Sequence, residues 1–316
     1  MADNHNNSRI VFALGETVLD LVSEGGLAFH GVPGGSVLNA SVSLGRMKTD
    51  VHLMSEWGDD KTADLIEHFL DNNGVKSDYC IRNPRHRTSL ALAFLDKEKN
   101  ASYSFYHDTP EILHNTRIPD FTKKDILLFG SFYAVKPERR EFVVSVLRKA
   151  LSADSIIYYD LNIRKTHNDL LEQCMPSYLN NISVATIVKG SDEDFSNIFG
   201  ITDPADVYEK LKHYCKILII TAGDKPLHVF ASGFNKSYNI PSITPVSTIG
   251  AGDNFNAGFI YGLSTAGIEF NRELKISAPQ MDHLIGCGLA FATETCLSDE
   301  NYVSGNFKPD FWKKYI

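Results

Sequence analysis

The chain has 316 residues, of which 43% are hydrophobic and 22% charged, with a formal net charge of −8 at pH 7. That is the balance of a globular protein with a sizeable core, and its acidity argues against a nucleic-acid partner, whose phosphates require a basic surface. Five irregularly spaced cysteines argue against a disulfide framework or a zinc site; a polar amino terminus and the absence of any apolar run near about 18 residues argue against secretion and membrane insertion, so a cytoplasmic location is expected.

In chain order, Ile10–Leu14 is a continuous apolar run that ends at Gly15 and predicts a buried strand. Residues 18–29 follow it without a helical pattern. The glycine-rich stretch 30–36 leads into 37–47, where Val37, Leu38, Val42, Leu44 and Met47 share one helical face. A helix is expected over 61–71. Residues 88–107 carry two strand-like arms around a charged turn at 96–100, which is hairpin chemistry. From there one grammar repeats. Apolar strands are expected at 126–129, 155–159, 184–188 and 217–220, and helices at 137–151 and 203–214. Strands buried on both faces and alternating with helices predict a mainly parallel sheet between helical layers. Ligands of such sheets lie off the carboxyl ends of the strands, where Asp160, Lys189 and Thr221 fall.

The most informative stretch comes next, Thr248-Ile249-Gly250-Ala251-Gly252-Asp253, followed by a helical pattern over 254–262. Small residues allow a sharp turn and close approach to a ligand. A helix that starts there aims free N–H groups and the positive end of its dipole at an anion. An aspartate inside an anion hole repels a ligand that is only to be held. It makes sense as the base that takes a proton from a hydroxyl attacking that anion, which points to phosphoryl transfer. The plain alternative is a loop with an aspartate N-cap. No Gly-x-x-x-x-Gly-Lys-Ser/Thr is present, so a P-loop is excluded.

Two elements carry a resemblance. Gly34, Gly35, Asn39 and Ser41 match Gly-Gly-x-x-x-Asn-x-Ser/Ala, and Thr248 to Asp253 match Thr-x-Gly-Ala-Gly-Asp about two hundred residues later. In this order and separation the chain resembles the ribokinase-like (PfkB) carbohydrate kinases from about residue 10 to 303, and within them the fructokinases. The resemblance implies a single α/β kinase domain over 1–316. It takes the form of a three-layer α/β/α sandwich, with a small β lid inserted from about 18–31 and 86–108 that covers the sugar and forms a homodimer contact. It also implies ATP and Mg2+ as cofactors and a free sugar as acceptor, with no nucleic-acid or membrane partner.

Carried over position by position, Asp253 is the implied catalytic base, with Gly250, Ala251 and Gly252 forming the anion hole. Asp20, Gly34, Gly35 and Asn39 form the implied sugar wall, and Arg87, Phe105 and Tyr106 reach in from the lid. Asp160, Asn162 and Arg164 match an Asp-Pro-Asn-x-Arg element, with Leu161 in place of proline. Lys189, Ser191 and Asp194 match the element that organises magnesium through water, with Asp194 in place of the usual glutamate. Thr221 and Gly223 match a turn beside the nucleotide, and Thr248 belongs with them. The helix over 284–295 is expected to close on adenine, with Gly286, Gly288, Ala290 and Ala292 leaving room for a flat base; close helix packing is the plain alternative for those small residues. Ser247 stands where the family has an aspartate beside a monovalent cation; it offers an oxygen without charge, which weakens the case for K+ activation. Fructose is the favoured acceptor. Ribose, 2-keto-3-deoxygluconate and a nucleoside are alternatives, and a non-catalytic sugar sensor on the same fold is the non-enzyme reading, although the base and the anion hole are both intact.

Overall fold

The structure is a computed structural model and describes residues 9–23, 25–95, 101–106, 116–163, 169–266, 268 and 274–308. The chain enters on β1 (Ile10–Leu14), then β2 (Val18–Ser23) and β3 (His30–Gly34), which runs straight into α1 (Ser36–Arg46). Next come β4 (Asp50–Met54), β5 (Glu56–Gly58), α2 (Lys61–Asn72), β6 (Val75–Lys76) and β7 (Ile81–Asn83), then the hairpin arms β8 (Leu90–Leu95) and β9 (Ala101–Tyr106). The second half contributes β10 (Ile126–Gly130), α3 (Arg140–Ser152), β11 (Ile156–Asp160), α4 (Leu171–Val184), β12 (Ile187–Ser191), α5 (Asp192–Phe199) and α6 (Pro204–Leu211). It closes with β13 (Ile217–Ala222), β14 (Lys225–Ala231), β15 (Phe234–Tyr238), α7 (Ala251–Thr265) and α8 (Ala278–Cys296).

Among the described residues, nine strands form the main sheet in the order β15-β14-β13-β12-β11-β10-β1-β4-β6. From β6 to β13 the pairs are parallel; β14 and β15 add an antiparallel edge. Side-chain alternation divides the core. Val11, Ala13, Ile126, Leu128, Ile156 and Tyr158 face one layer, built on α1, α2, α7 and α8. Phe12, Leu14, Leu127, Phe129, Ile157 and Tyr159 face the other, built on α3 to α6. A strand period of two with both faces apolar therefore produces two helical layers on one sheet. The order reverses at β1, whose neighbours are β10 and β4. This leaves a crevice at the carboxyl ends of the strands, the place where open α/β sheets take ligands. A second sheet, β3-β2-β8-β9, stands apart from the first.

Several expectations shift. The strand expected at 184–188 starts later, at Ile187, because α4 continues through Val184. Residues 137–139 form a 3-10 turn before α3, since Pro137 sets a tight start. The helix expected to reach 214 ends at Leu211. Lys189 and Thr221 lie inside β12 and β13 rather than beyond them. The small residues of α8 serve helix packing: a side chain at Gly288 would come within 2.8 Å of the Phe255 ring of α7. That close approach accounts for the glycine at 288.

Candidate active site

The site is built where α1 and α7 begin. Both helices start on a glycine with positive φ, Gly35 at 128° and Gly250 at 79°, and neither receives a side-chain cap. A Cβ at Gly250 would sit 2.7 Å from the Asn301 carbonyl, so the turn admits only glycine. With no side chain at the N-cap, the first-turn N–H groups of α7 keep their donors for something else. Asp253 is the third residue of α7 and does not cap it, which removes the loop-and-cap reading of this stretch.

Three polar side chains of α7 pin its first turns to three different elements. Asp253 turns to α1: Ser36 Oγ donates to its Oδ1 at 2.6 Å, and Asn39 Nδ2 donates to its Oδ2 at 2.9 Å. Asn254 Nδ2 donates to the carbonyls of Gly250 and Asn301, each at 2.8 Å, and its Oδ1 accepts from Ser43 Oγ. Asn256 Nδ2 donates to Asp160 Oδ2 at 2.7 Å, while Tyr158 OH donates to Asn256 Oδ1 at 3.0 Å. On α1 the partners Ser36, Asn39 and Ser43 recur at i, i+3 and i+7, one polar stripe along the helix. Pattern reading passed over Ser36, Ser43, Asn254, Asn256 and Tyr158. The i, i+3, i+7 spacing of Ser and Asn was the available signal.

Lys189 and Asp160 lie at the floor of the site. Their ion pair spans 3.1 Å, with the side chains 6% and 2% exposed, and a Cβ on Gly252 would sit 3.1 Å from Lys189 Nζ. The ammonium is thus directly behind the glycine loop. Burial works against its charge, but Asp160, Asp194 and Asp253 outweigh it and hold the Lys189 pKa above that of a free lysine. Asp160 was expected among the substrate-binding residues, beside the sugar wall. It is instead buried beneath it, committed to Lys189 and Asn256.

Asp194 is the third residue of α5 and is folded back on its own helix. Its Oδ2 accepts from Ser191 N at 2.7 Å, Ser191 Oγ accepts from Asp194 N, and Asp194 Oδ1 accepts from Ile163 N at 2.7 Å. Asn162 follows β11 with a φ of 40°, a region asparagine tolerates better than most residues. Arg164 lies outside the described residues. Thr221 is half-buried at the end of β13, and its Oγ1 donates to the Gly190 carbonyl at 3.5 Å; Gly223 and Thr248 are exposed. Ser247 Oγ accepts from Ile249 N at 3.2 Å.

On the small sheet, a Cβ at Gly34 would sit 2.6 Å from Asp20 Oδ2, so the Asp20 carboxylate lies against the entry to α1. Arg87 is exposed beside β8, and Phe105 and Tyr106 are exposed on β9 at 51% and 59%. Asp20, Gly34, Gly35 and Asn39 are thus continuous with Asp253, whereas Phe105 and Tyr106 lie on the outer arm of the small sheet. Among the described residues no three His, Cys, Asp or Glu side chains are placed to ligate a metal directly, and no helix is long and apolar enough to cross a membrane.

Residues 11–278 match the family model described as pfkB family carbohydrate kinase. The fructokinase of Escherichia coli is 28% identical over 273 residues, covering 84% of this chain and 88% of that protein. Fold comparison finds a fructokinase double mutant of Vibrio cholerae O395, in a fructose-, ADP- and potassium-bound form, at a TM-score of 0.86. Its identity is 18%, with 98% of this chain and 99% of that one covered. Aminoimidazole riboside kinase of Salmonella enterica, complexed with aminoimidazole riboside and an ATP analogue, superposes at 0.80 and 19% identity, covering 97% and 99%. An aspartate held at an uncapped helix start, a lysine behind the glycine loop and a family match over most of the chain agree: the chain belongs to the pfkB family of carbohydrate kinases and is a sugar kinase resembling the fructokinases.

Proposed function

We propose that this protein phosphorylates a hydroxyl of fructose at the expense of ATP, with Asp253 as general base. The observation that carries the reading is the placement of Asp253 in the first turn of α7, its carboxylate turned out to α1 while the N-cap beside it has no side chain. Asp253 accepts the proton as the sugar oxygen attacks the terminal phosphorus, a contribution of roughly 10²–10⁴-fold. The first-turn N–H groups receive charge as it spreads over the transferring phosphoryl oxygens; one such donor elsewhere is worth about 10²–10³-fold. Lys189, behind Gly252, adds a fixed positive charge to the same place.

The residues present suit a divalent ion held through water. Three carboxylates, Asp160, Asp194 and Asp253, share the field of one buried ammonium, which leaves negative charge to balance. Magnesium, when bound with the nucleotide, would neutralise phosphate charge. Asp194 is the residue that would hold it, through water. The short sheet that carries Asp20 and Phe105 acts as the lid and as a homodimer contact, and the protein works in the cytoplasm. Fructose is favoured over other acceptors because the matched relative from Escherichia coli and the superposed Vibrio cholerae protein are fructokinases. The Salmonella kinase of similar fold acts on a riboside, so nucleosides are the second acceptor class.

The test is ADP release by the purified protein with Mg-ATP, across fructose, ribose, 2-keto-3-deoxygluconate, adenosine, aminoimidazole riboside and no acceptor, in Na+ and in K+. Turnover with fructose at ten times the rate of any other acceptor is expected. Turnover confined to a riboside would move the assignment to that class. Sugar binding with no turnover would make the protein a sensor.

A further inference from the structure

We infer that Ser36 is a positioning residue for phosphoryl transfer: its hydroxyl, together with the Asn39 amide, sets the plane and direction of the Asp253 carboxylate. This rests on the reading of Asp253 as the base. Ser36 opens α1 and Asn39 lies three residues on, so both project from the same face of one rigid helix. Ser36 Oγ donates to one carboxylate oxygen at 2.6 Å and Asn39 Nδ2 to the other at 2.9 Å. The first distance falls in the range of a charge-assisted O–H···O⁻ bond.

A serine at a helix start ordinarily spends its oxygen on its own helix. Here α1 has no side-chain cap, and the Ser36 hydroxyl goes to a helix 217 residues away. The final torsion of an aspartate is broad, with no sharp rotamer wells to fix the carboxylate plane. Two donors from a second helix supply that constraint. Each oxygen accepts one bond in this arrangement and keeps a lone pair for the incoming hydroxyl. The donor is itself anchored, because Gly35 before it packs so closely on the Glu16 carbonyl that a Cβ would clash. Reacting groups displaced by about 1 Å lose on the order of 10²-fold in rate, so a carboxylate free to rotate is costly even with α7 intact.

The experiment is a double-mutant cycle on the full-length protein, with Ser36→Ala, Ser36→Thr, Asp253→Asn and the double variant Ser36→Ala/Asp253→Asn. Steady-state kinetics are measured for acceptor and ATP, with thermal melting of each variant. Ser36→Ala is expected to lower kcat roughly 10-fold, with both KM values within about twofold and the melting temperature unchanged. Ser36→Thr, which keeps the hydroxyl, is expected to recover most of kcat. In the Asp253→Asn background, Ser36→Ala is expected to have no further effect. A wild-type kcat for Ser36→Ala, or an equal loss in both backgrounds, overturns the inference. A raised KM with a lowered melting temperature means that Ser36 only stabilises α1 and overturns it as well. Wild-type turnover by Asp253→Asn removes the base reading itself, which is a separate result.

Discussion

α5 and α7 begin at the same edge of the sheet, and each has an aspartate as its third residue, yet the two ends are used in opposite ways. Asp194 is folded inward: Ser191 caps the helix, the carboxylate returns the bond, and Ile163 takes the remaining oxygen. Asp253 is turned outward, because its N-cap is Gly250, which has no side chain to exchange bonds with, and because α1 presents two donors. A capped helix start has its first-turn donor and its carboxylate already engaged with each other. An uncapped one with its carboxylate tied elsewhere leaves N–H groups open and a carboxylate held in place beside them, the base of the proposed reaction. The residue before the helix, rather than the aspartate, decides which end becomes a site.

The largest effect that sharpens this comparison is at the open end. Asp253→Asn should lower turnover by roughly 10²–10⁴-fold while acceptor binding and melting temperature survive; rapid turnover by that variant would dissolve the distinction between the two ends. Gly250→Ser gives α7 the cap that α5 has. It also places a side chain at a φ of 79° and 2.7 Å from the Asn301 carbonyl. Turnover should fall at least about 10-fold, with lower thermal stability, since one strained residue costs on the order of 1–3 kcal/mol. Full activity would show that the bare N-cap is not what opens the site.

At the closed end the signature is reversed. Asp194→Asn should cost about 1 kcal/mol of stability, as the loss of a capping interaction does, and should raise the Mg2+ concentration needed for half-maximal rate. A melting temperature equal to that of the wild type would break the assignment of Asp194 as the returning partner of the Ser191 cap.

The smallest effect concerns another closed end. Asp60 caps α2 through Ala63 N at 3.0 Å and also accepts from Thr88 N and Oγ1, just before β8. Burial opposes its charge, but the bonds from Thr88, Ala63 and Thr62 outweigh it and hold the carboxyl below the usual carboxylate range. Because the folded carboxyl is the stronger acid, the unfolded chain takes up the proton first as pH falls. The stability it contributes is whole above roughly pH 4 and is lost as pH drops through the lower folded value. Melting temperatures between roughly pH 5 and pH 3 should therefore fall less steeply for Asp60→Asn than for the wild type; parallel curves would refute the cap.

What could be read from the chain follows from range. Apolar runs such as Ile10–Leu14 and 126–129 are local signals, and they placed the parallel strands and the two layers. The turn at Gly250 was legible because glycine spacing is local too. The antiparallel edge of β14 and β15 was not, since its half-polar alternation lacks a continuous apolar run. Ser36, Ser43 and Asn254 were missed because a serine on a helix is unremarkable until its partner, more than two hundred residues away, is known. The partner of Asp160 was hidden for a related reason. A carboxylate at a strand end reads as a ligand contact, and only the buried Lys189 beside it shows that it is a counter-ion.

The joint between α1 and α7 also has a consequence for synthesis. Ser36 and Asp253 are 217 positions apart, and Ser43 accepts from Val303, 260 positions further on. At roughly 5–20 residues per second, a nascent chain spends on the order of 10–40 seconds with the polar stripe of α1 made and its partners not yet emerged. During that interval α1 has no counterpart for its buried donors, and the first strand of the sheet must wait for β10 as well. The joint between α1 and α7 is complete only once the chain has been made as far as Val303, so the two glycine-led helix starts come together late in synthesis although one of them is made early.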